Sequence, residues 1–137
     1  MIVYADASAI LRHVLEQPGA IQGWDRIERL IASRLAQAEC LRTLDRHRFS
    51  GTVPDSQLIL ARETLTLAFG RFEFVEITPV ILSRAGEPIA VPLGTLDAIH
   101  LVTATAWQEI TGLRLTMATH DTALADAARL YGMPVLG

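Results

Sequence analysis

Four carboxylates stand where an acid can serve chemistry as readily as structure. Asp6 ends the apolar run MIVYA, Asp121 follows LTMATH, Asp97 opens the apolar stretch TLDAIHLVTA, and Glu39 sits among Ala36, Ala38, Cys40 and Leu41. Each alone has a commonplace explanation. Asp6 and Asp121 precede helical patterns and suit a helix N-cap. Asp97 falls in a first helical turn, where a carboxylate gains about 0.3–1 kcal/mol from the helix dipole. Glu39, taken alone, is more often a half-exposed surface acid. As a set they raise an electrostatic question, because two carboxylates roughly 5 Å apart repel by about 3 kcal/mol at an effective dielectric of about 20. All twelve basic residues are Arg and there is no Lys, and no Arg is placed beside each acid by the sequence. A hard divalent cation is the natural counter-charge, and Mg²⁺ or Mn²⁺ held by oxygens and water is what phosphodiester hydrolysis uses.

The elements that must position these acids follow from the hydrophobic pattern. MIVYA has the signature of a strand buried on both faces. Ala9, Ile10, His13 and Val14 then fall at helical spacing, which predicts a helix from Ala7 to Gln17 punctuated by Pro18 and Gly19. A second helix is expected from Ala20 to Arg29, then LIAS as a strand, then a helix through LAQAECLRTLDRHRF with Glu39 one or two turns inside it. Asp55 to Phe69 reads as an amphipathic helix closed by Gly70, FEFVEIT as an edge strand, and Pro79 as the start of a short helix stopping near AGEP. Thr95 is predicted to cap a helix that reaches Ile110 and closes at Gly112; Leu96, Ile99, Val102, Ala106 and Ile110 predict that its body is largely buried. LTMAT is the next strand, Asp121 to Tyr131 the last helix, and MPVL a final strand. Strands alternating with helices predict a parallel sheet covered on both faces. In such sheets ligands bind outside the carboxyl ends of the strands, the edge to which separate strands deliver Asp6 and Asp121.

The bulk properties bound the rest. With 137 residues, half of them apolar, the chain suits one domain, residues 1–137, with one sizeable core. It has no repeat, linker or low-complexity tract. Asp6 stands where a signal peptide would be positively charged and then apolar, and no apolar run approaches the roughly 18 residues of a membrane span, so a soluble cytoplasmic protein with no membrane partner is expected. Cys40 is the only cysteine, which excludes an intrachain disulfide and a Cys-based zinc site and suits a small core residue. The net charge of −3 does not advertise a nucleic-acid binder, yet residues 1–50 hold seven Arg against six acids, and residues 51–137 five against nine. Arg26, Arg29, Arg34, Arg42, Arg46 and Arg48 thus concentrate positive charge in the first third, either as a solvated helix face or as a binding surface.

The order YADAS, RLAQAECLR, TLDAIHLVTA and ATHDTALADAA followed by YGMPVL resembles the PIN domain, and in detail the VapC-type ribonuclease toxins of prokaryotic toxin–antitoxin pairs, over nearly the whole chain. The resemblance implies a PIN-like three-layer α/β/α sandwich around a mostly parallel sheet of four to five strands. It implies that Asp6, Glu39, Asp97 and Asp121 form an acidic pocket for one or two Mg²⁺ or Mn²⁺ ions, with Asp6 and Asp97 the surest ligands and Asp121 the usual fourth acid. Glu39 would bind through water or act as a base orienting the attacking water. Ser8 and Thr119 stand where the family often has hydroxyls, and they are expected to hydrogen-bond the carboxylates. The implied reaction is hydrolysis of single-stranded or loop RNA, leaving a 5′-phosphate and a 3′-hydroxyl, in a homodimer whose groove is blocked by a cognate antitoxin. Arg12, Arg42, Arg46 and Arg48 are the candidates for phosphate contacts. With eight aromatics, mostly in core-like positions, no base-stacking platform is visible, which points to recognition of RNA shape.

Rivals can be weighed on residues. Haloacid dehalogenase phosphatases and response-regulator receivers also follow a first strand with Asp, but receivers and nearly all those phosphatases use a Lys to balance the phosphoryl charge, and the phosphatases want a second Asp where this chain has Ser8. No GK exists, so there is no P-loop. Among His13, His47, His100 and His120, His100 reads as a core or rim histidine, and His120 stands close enough to Asp121 to approach a metal. A PIN-like processing nuclease without an antitoxin, and a catalytically silent PIN-like binding module, are the remaining alternatives; the silent module predicts erosion of the acidic set, and all four acids are present.

Overall fold

A computed structural model describes all residues, 1–137. Its strands are β1 (Ile2–Ala5), β2 (Arg29–Ser33), β3 (Phe72–Val75), β4 (Thr116–Ala118) and β5 (Val135–Leu136); its helices are α1 (Ala7–Val14), α2 (Arg34–Ser50), α3 (Asp55–Phe69), α4 (Pro79–Ala85), α5 (Thr95–Thr111) and α6 (Thr122–Leu130). The strands form one five-stranded sheet in the order β3-β2-β1-β4-β5, with every pairing parallel. The chain therefore builds outward from β1 on one side, then returns to build outward on the other. The order reverses between β1 and β4, and there the crevice at the carboxyl ends opens.

Strand alternation sorts the core into two faces. Val3, Ala5, Leu30 and Ala32 pack with Ile10 of α1, Cys40 and Leu44 of α2, and Leu65 of α3. Tyr4, Ile31 and Met117 point the other way and pack with Leu101, Ala104 and Trp107 of α5 and Leu124 and Ala127 of α6. A third, smaller cluster ties α4 to α5 through Ile81, Ile99, Val102 and Ala106. The result is the expected three-layer α/β/α sandwich, with the free Cys40 buried in its core. Edge strand β3 is fastened by Glu73, which accepts from Trp107 Nε1 at 2.9 Å and from Arg29 Nη2 at 2.6 Å. Those two hydrogen bonds hold its carboxyl below the usual carboxylate range. No helix is long and apolar enough to cross a membrane.

Several expectations need correcting. No helix spans Ala20 to Arg29; only a single 3₁₀ turn forms at Trp24–Arg26. Gly19 and Gly23 adopt φ of +83° and +75°, which break a helix on either side, and Arg29 is drawn into β2 by its register with Ile2. The first helix stops at Val14 rather than Gln17, since Glu16 already has φ +49°. Thr95 is the first helical residue and not the cap; Gly94 occupies the N-cap and offers no side-chain bond. The body of α5 from Ala98 to Ala104 is buried throughout, but Leu96 and Ile110 at its two ends are 48% and 84% exposed.

Candidate active site

Local signals deliver three of the acids to the crevice. Asp6 leaves β1 as the N-cap of α1, accepting from Ala9 N at 2.9 Å, while its own N–H donates to Ala118 O of β4 at 3.1 Å. Asp121 leaves β4 as the N-cap of α6, accepting from Leu124 N at 2.9 Å. Asp97 stands in the first turn of α5. The fourth, Glu39, is a turn and a half into α2, whose start is fixed by Ser33 Oγ accepting from Ala36 N at 3.2 Å. Each capping explanation is thus correct for Asp6 and Asp121, and it does not exhaust what these side chains do.

All four carboxylates line one groove, together with Ser8, His100, Arg42, Thr43 and Arg46. Asp6 is buried, 4% exposed, and fully engaged: Ser8 Oγ donates to it at 2.8 Å and Thr119 Oγ1 at 2.7 Å. The same hydroxyls reach onward, Ser8 Oγ accepting from His120 N at 2.9 Å and Thr119 Oγ1 from Asp121 N at 3.0 Å. Ser8 and Thr119 therefore tie the ends of β1 and β4 into one frame. Glu39 is held differently, by His100 Nε2 at 2.7 Å from its Oε2. Asp97 carries the electrostatic mark of the set: its carboxyl is pushed up, first by burial and then by the charge of Asp121, with Asp6 and Glu39 adding to it and His100 opposing. Like charges confined in one groove disfavour ionisation of the member least well solvated.

The four acids do not close into a ready-made cage. No three His, Cys, Asp or Glu side chains are gathered closely enough to hold an ion as they stand. Asp6 is turned toward its hydroxyl donors and Glu39 toward His100. Of the basic candidates, Arg42 and Arg46 line the groove, where Arg42 Nη1 meets Asp45 at 2.8 Å and Arg46 Nη2 meets Thr43 at 2.8 Å. Arg12 and Arg48 lie outside its lining: Arg12 bonds Pro18 O at 3.1 Å, and Arg48 is paired with Asp45 and stacked over Phe49. His120 turns a buried Nε2 away from any partner.

A parallel sheet with its carboxylates gathered at the β1/β4 switch point defines a class, and a family model described as PIN domain matches residues 3–130. The chain belongs to the PIN domain family. It is 30% identical over 138 residues to Ribonuclease VapC46 of Mycobacterium tuberculosis (strain ATCC 25618 / H37Rv), an alignment covering 98% of this chain and 95% of that protein. Two solved structures share the fold. PAE2754 from Pyrobaculum aerophilum superposes with a TM-score of 0.64 at 20% identity, covering 98% of this chain and 83% of that one. VapBC2 from Rickettsia felis, bound to a DNA fragment from its promoter, superposes with a TM-score of 0.67 at 13% identity, covering 98% and 97%.

The residues that sequence reasoning did not assign to the site are Tyr4, Ser33 and His100. His100 is buried, as its apolar neighbours suggested, yet it also touches Glu39. The available signal was its spacing: three residues after Asp97, it must share that acid's side of the helix.

Proposed function

We propose that this chain is a cytoplasmic VapC-type endoribonuclease toxin that hydrolyses RNA phosphodiester bonds with one or two Mg²⁺ or Mn²⁺ ions and is inhibited by a cognate antitoxin. The observation that carries the reading is a single groove lined by Asp6, Glu39, Asp97 and Asp121, in which the other three charges add to burial in pushing Asp97 up. The donor set fits a hard cation: all four are oxygen ligands, PIN-domain ribonucleases are generally divalent-metal dependent, and no Lys ammonium exists to balance the acids. When bound, the cation balances the carboxylates and stabilises charge at the leaving oxygen.

The chain's own residues do the rest. Asp6, Asp97 and Asp121 would hold the cation, while Ser8 and Thr119 fix the rotamer of Asp6 and the turn that carries Asp121. Glu39 also faces the groove and has Oε2 committed to His100, which leaves Oε1 to orient the attacking water and take its proton. Water is the nucleophile, so the 2′-hydroxyl is not consumed and the cut leaves a 5′-phosphate and a 3′-hydroxyl. Purified protein is expected to cut a loop-containing RNA in Mg²⁺, to stop in excess chelator and to recover on adding Mn²⁺. Cleavage that continues undiminished in chelator overturns the reading.

Arg42 and Arg46 follow Glu39 by three and seven residues on one side of α2, which suits them to the RNA backbone next to the scissile phosphate. Replacing both by Ala is expected to weaken binding and to flatten the slope of log K against log salt by about 1.4, roughly 0.7 per lost phosphate contact on a single strand. Fluorescence anisotropy across a salt series reads this, and an unchanged slope removes both residues from the RNA path.

The proposal includes a homodimer and an antitoxin. Exposed apolar side chains support it: Ile59, Leu60 and Leu67 on α3, Val80 and Leu82 on α4, and Ile110 at the end of α5.

A further inference from the structure

We propose that His100 is the positioning residue for Glu39 and that Tyr4 sets it, so that a buried chain running Tyr4 to His100 to Glu39 decides where the Glu39 carboxylate stands in the groove. His100 is 2% exposed and Tyr4 is completely buried in the central strand β1. The imidazole is gripped at both ends: Nδ1 lies 2.9 Å from Tyr4 Oη and 3.3 Å from Ser33 Oγ, and Nε2 lies 2.7 Å from Glu39 Oε2. The chain thereby joins β1, α5 and α2, and it enters the groove from the core side.

The chemistry of the carboxylate fixes the direction of the proton at Nε2. A carboxylate can only accept, so Nε2 carries the hydrogen and donates to Glu39. At the other end of the ring Nδ1 meets the Tyr4 hydroxyl, accepting from it when the ring is neutral and donating to its oxygen when the ring is charged, so the contact is kept in either state. Burial holds the Tyr4 phenol far above its ordinary titration range, so it remains a neutral hydroxyl that can meet Nδ1 in either role. Ser33 Oγ already accepts from Ala36 N as the cap of α2, which ties the start of the Glu39 helix to the same junction. A leucine at position 100 would satisfy packing alone; a polar ring with both nitrogens engaged specifies one orientation of whatever it touches.

Two consequences follow. Glu39 loses one oxygen to His100 and keeps Oε1 for the groove, so its reach is defined by the ring and not by its own flexible stem. Asp97 and His100 share α5, so the positions of two groove acids are coupled through one helix. The inference rests on the nuclease reading for its effect on rate, but not for its effect on ion binding.

The test is a cycle on the full-length protein with His100→Asn, Glu39→Gln and the double variant, read by Mn²⁺ titration calorimetry, single-turnover RNA cleavage at saturating Mn²⁺, and thermal melting. His100→Asn withdraws the donor from the Nε2 position and is expected to lower the rate or the Mn²⁺ affinity by about 10–100-fold. His100→Gln, which places an amide N–H near that position, is expected to restore most of the loss. In the Glu39→Gln background the His100→Asn change is expected to cost less than about twofold, because the carboxylate that His100 positions is gone, while its drop in melting temperature persists. Equal losses in both backgrounds, or full rate and full affinity in His100→Asn, overturn the proposal. Should His100→Asn fail to fold, Tyr4→Phe, which removes only the hydroxyl, is expected to give a smaller loss that also disappears in the Glu39→Gln background; a loss that persists there overturns it equally. If the wild type binds Mn²⁺ and cuts no RNA, the nuclease reading falls while the Mn²⁺ affinities still decide the role of His100.

Discussion

Replacing Asp6 by Asn is expected to reduce RNA cleavage by at least about 100-fold with the fold intact. Changes in groups that merely orient a metal ligand cost about 10–100-fold, and a direct ligand costs more. The variant isolates charge from structure unusually well. Asn caps a helix about as well as Asp, so the bond from Ala9 N to the cap oxygen survives. What is lost is the negative charge and one acceptor toward the Ser8 and Thr119 hydroxyls, which can rotate to meet the new amide. Single-turnover cleavage beside a thermal melt separates the two effects. Expression of both proteins gives the same contrast in cells, and equal growth arrest with equal cleavage by Asp6→Asn would remove Asp6 from the mechanism.

For Asp97→Asn the second large effect is a pair of opposite signs: cleavage falls by at least about 100-fold, as expected for a direct ligand, while the protein without metal becomes more stable. The folded-state pKa of Asp97 is raised, by burial first and by Asp121 next. A raised pKa means that the folded state binds the proton more tightly than the unfolded state, so the contribution of this group is fully present below the ordinary carboxylate range, near 3.9, and is lost as pH rises through the raised value. The Asn variant has no such loss. In chelator its melting temperature should match that of the wild type in acid and exceed it near neutrality. Adding Mn²⁺ reverses the order, since an ion that binds only the folded wild type stabilises it by mass action. A pure capping role for Asp97 predicts the contrary, a slightly less stable variant that keeps its activity.

Most of the frame was legible because it is written in local patterns. The β1 run MIVYA, the α5 run and the alternation of strands with helices depend on periodicity; they placed Asp6 and Asp121 at one sheet edge and Asp97 in the first turn of a helix, while the family resemblance brought Asp97 and Glu39 to the same pocket. The segment after Gly19 was misread because two glycines with positive φ cannot be seen from composition, and because Arg29 is claimed by pairing with Ile2, a contact 27 residues away. Thr95 was misread as a cap because a good capping residue one position inside a helix gives the same sequence signal as one at its boundary. The Tyr4, Ser33 and His100 junction was out of reach for the same reason as the Arg29 pairing: its members are 67 and 96 residues apart from His100, and only the parallel sheet brings them together. The Arg candidates split on helix geometry, with Arg42 and Arg46 on the groove side of α2 and Arg48 turned to Asp45 and Phe49.

The central claim is that the four carboxylates act as one metal centre, although no three of them stand as a closed cage. Anomalous diffraction from a crystal of the wild-type protein soaked in Mn²⁺ tests it most directly. The account predicts a Mn²⁺ peak in the groove, with carboxylate oxygens of Asp6 and Asp97 at about 2.0–2.2 Å, as expected for a small hard cation, and Asp121 and Glu39 in its direct or water-bridged surroundings. A groove with no peak at saturating Mn²⁺ contradicts it.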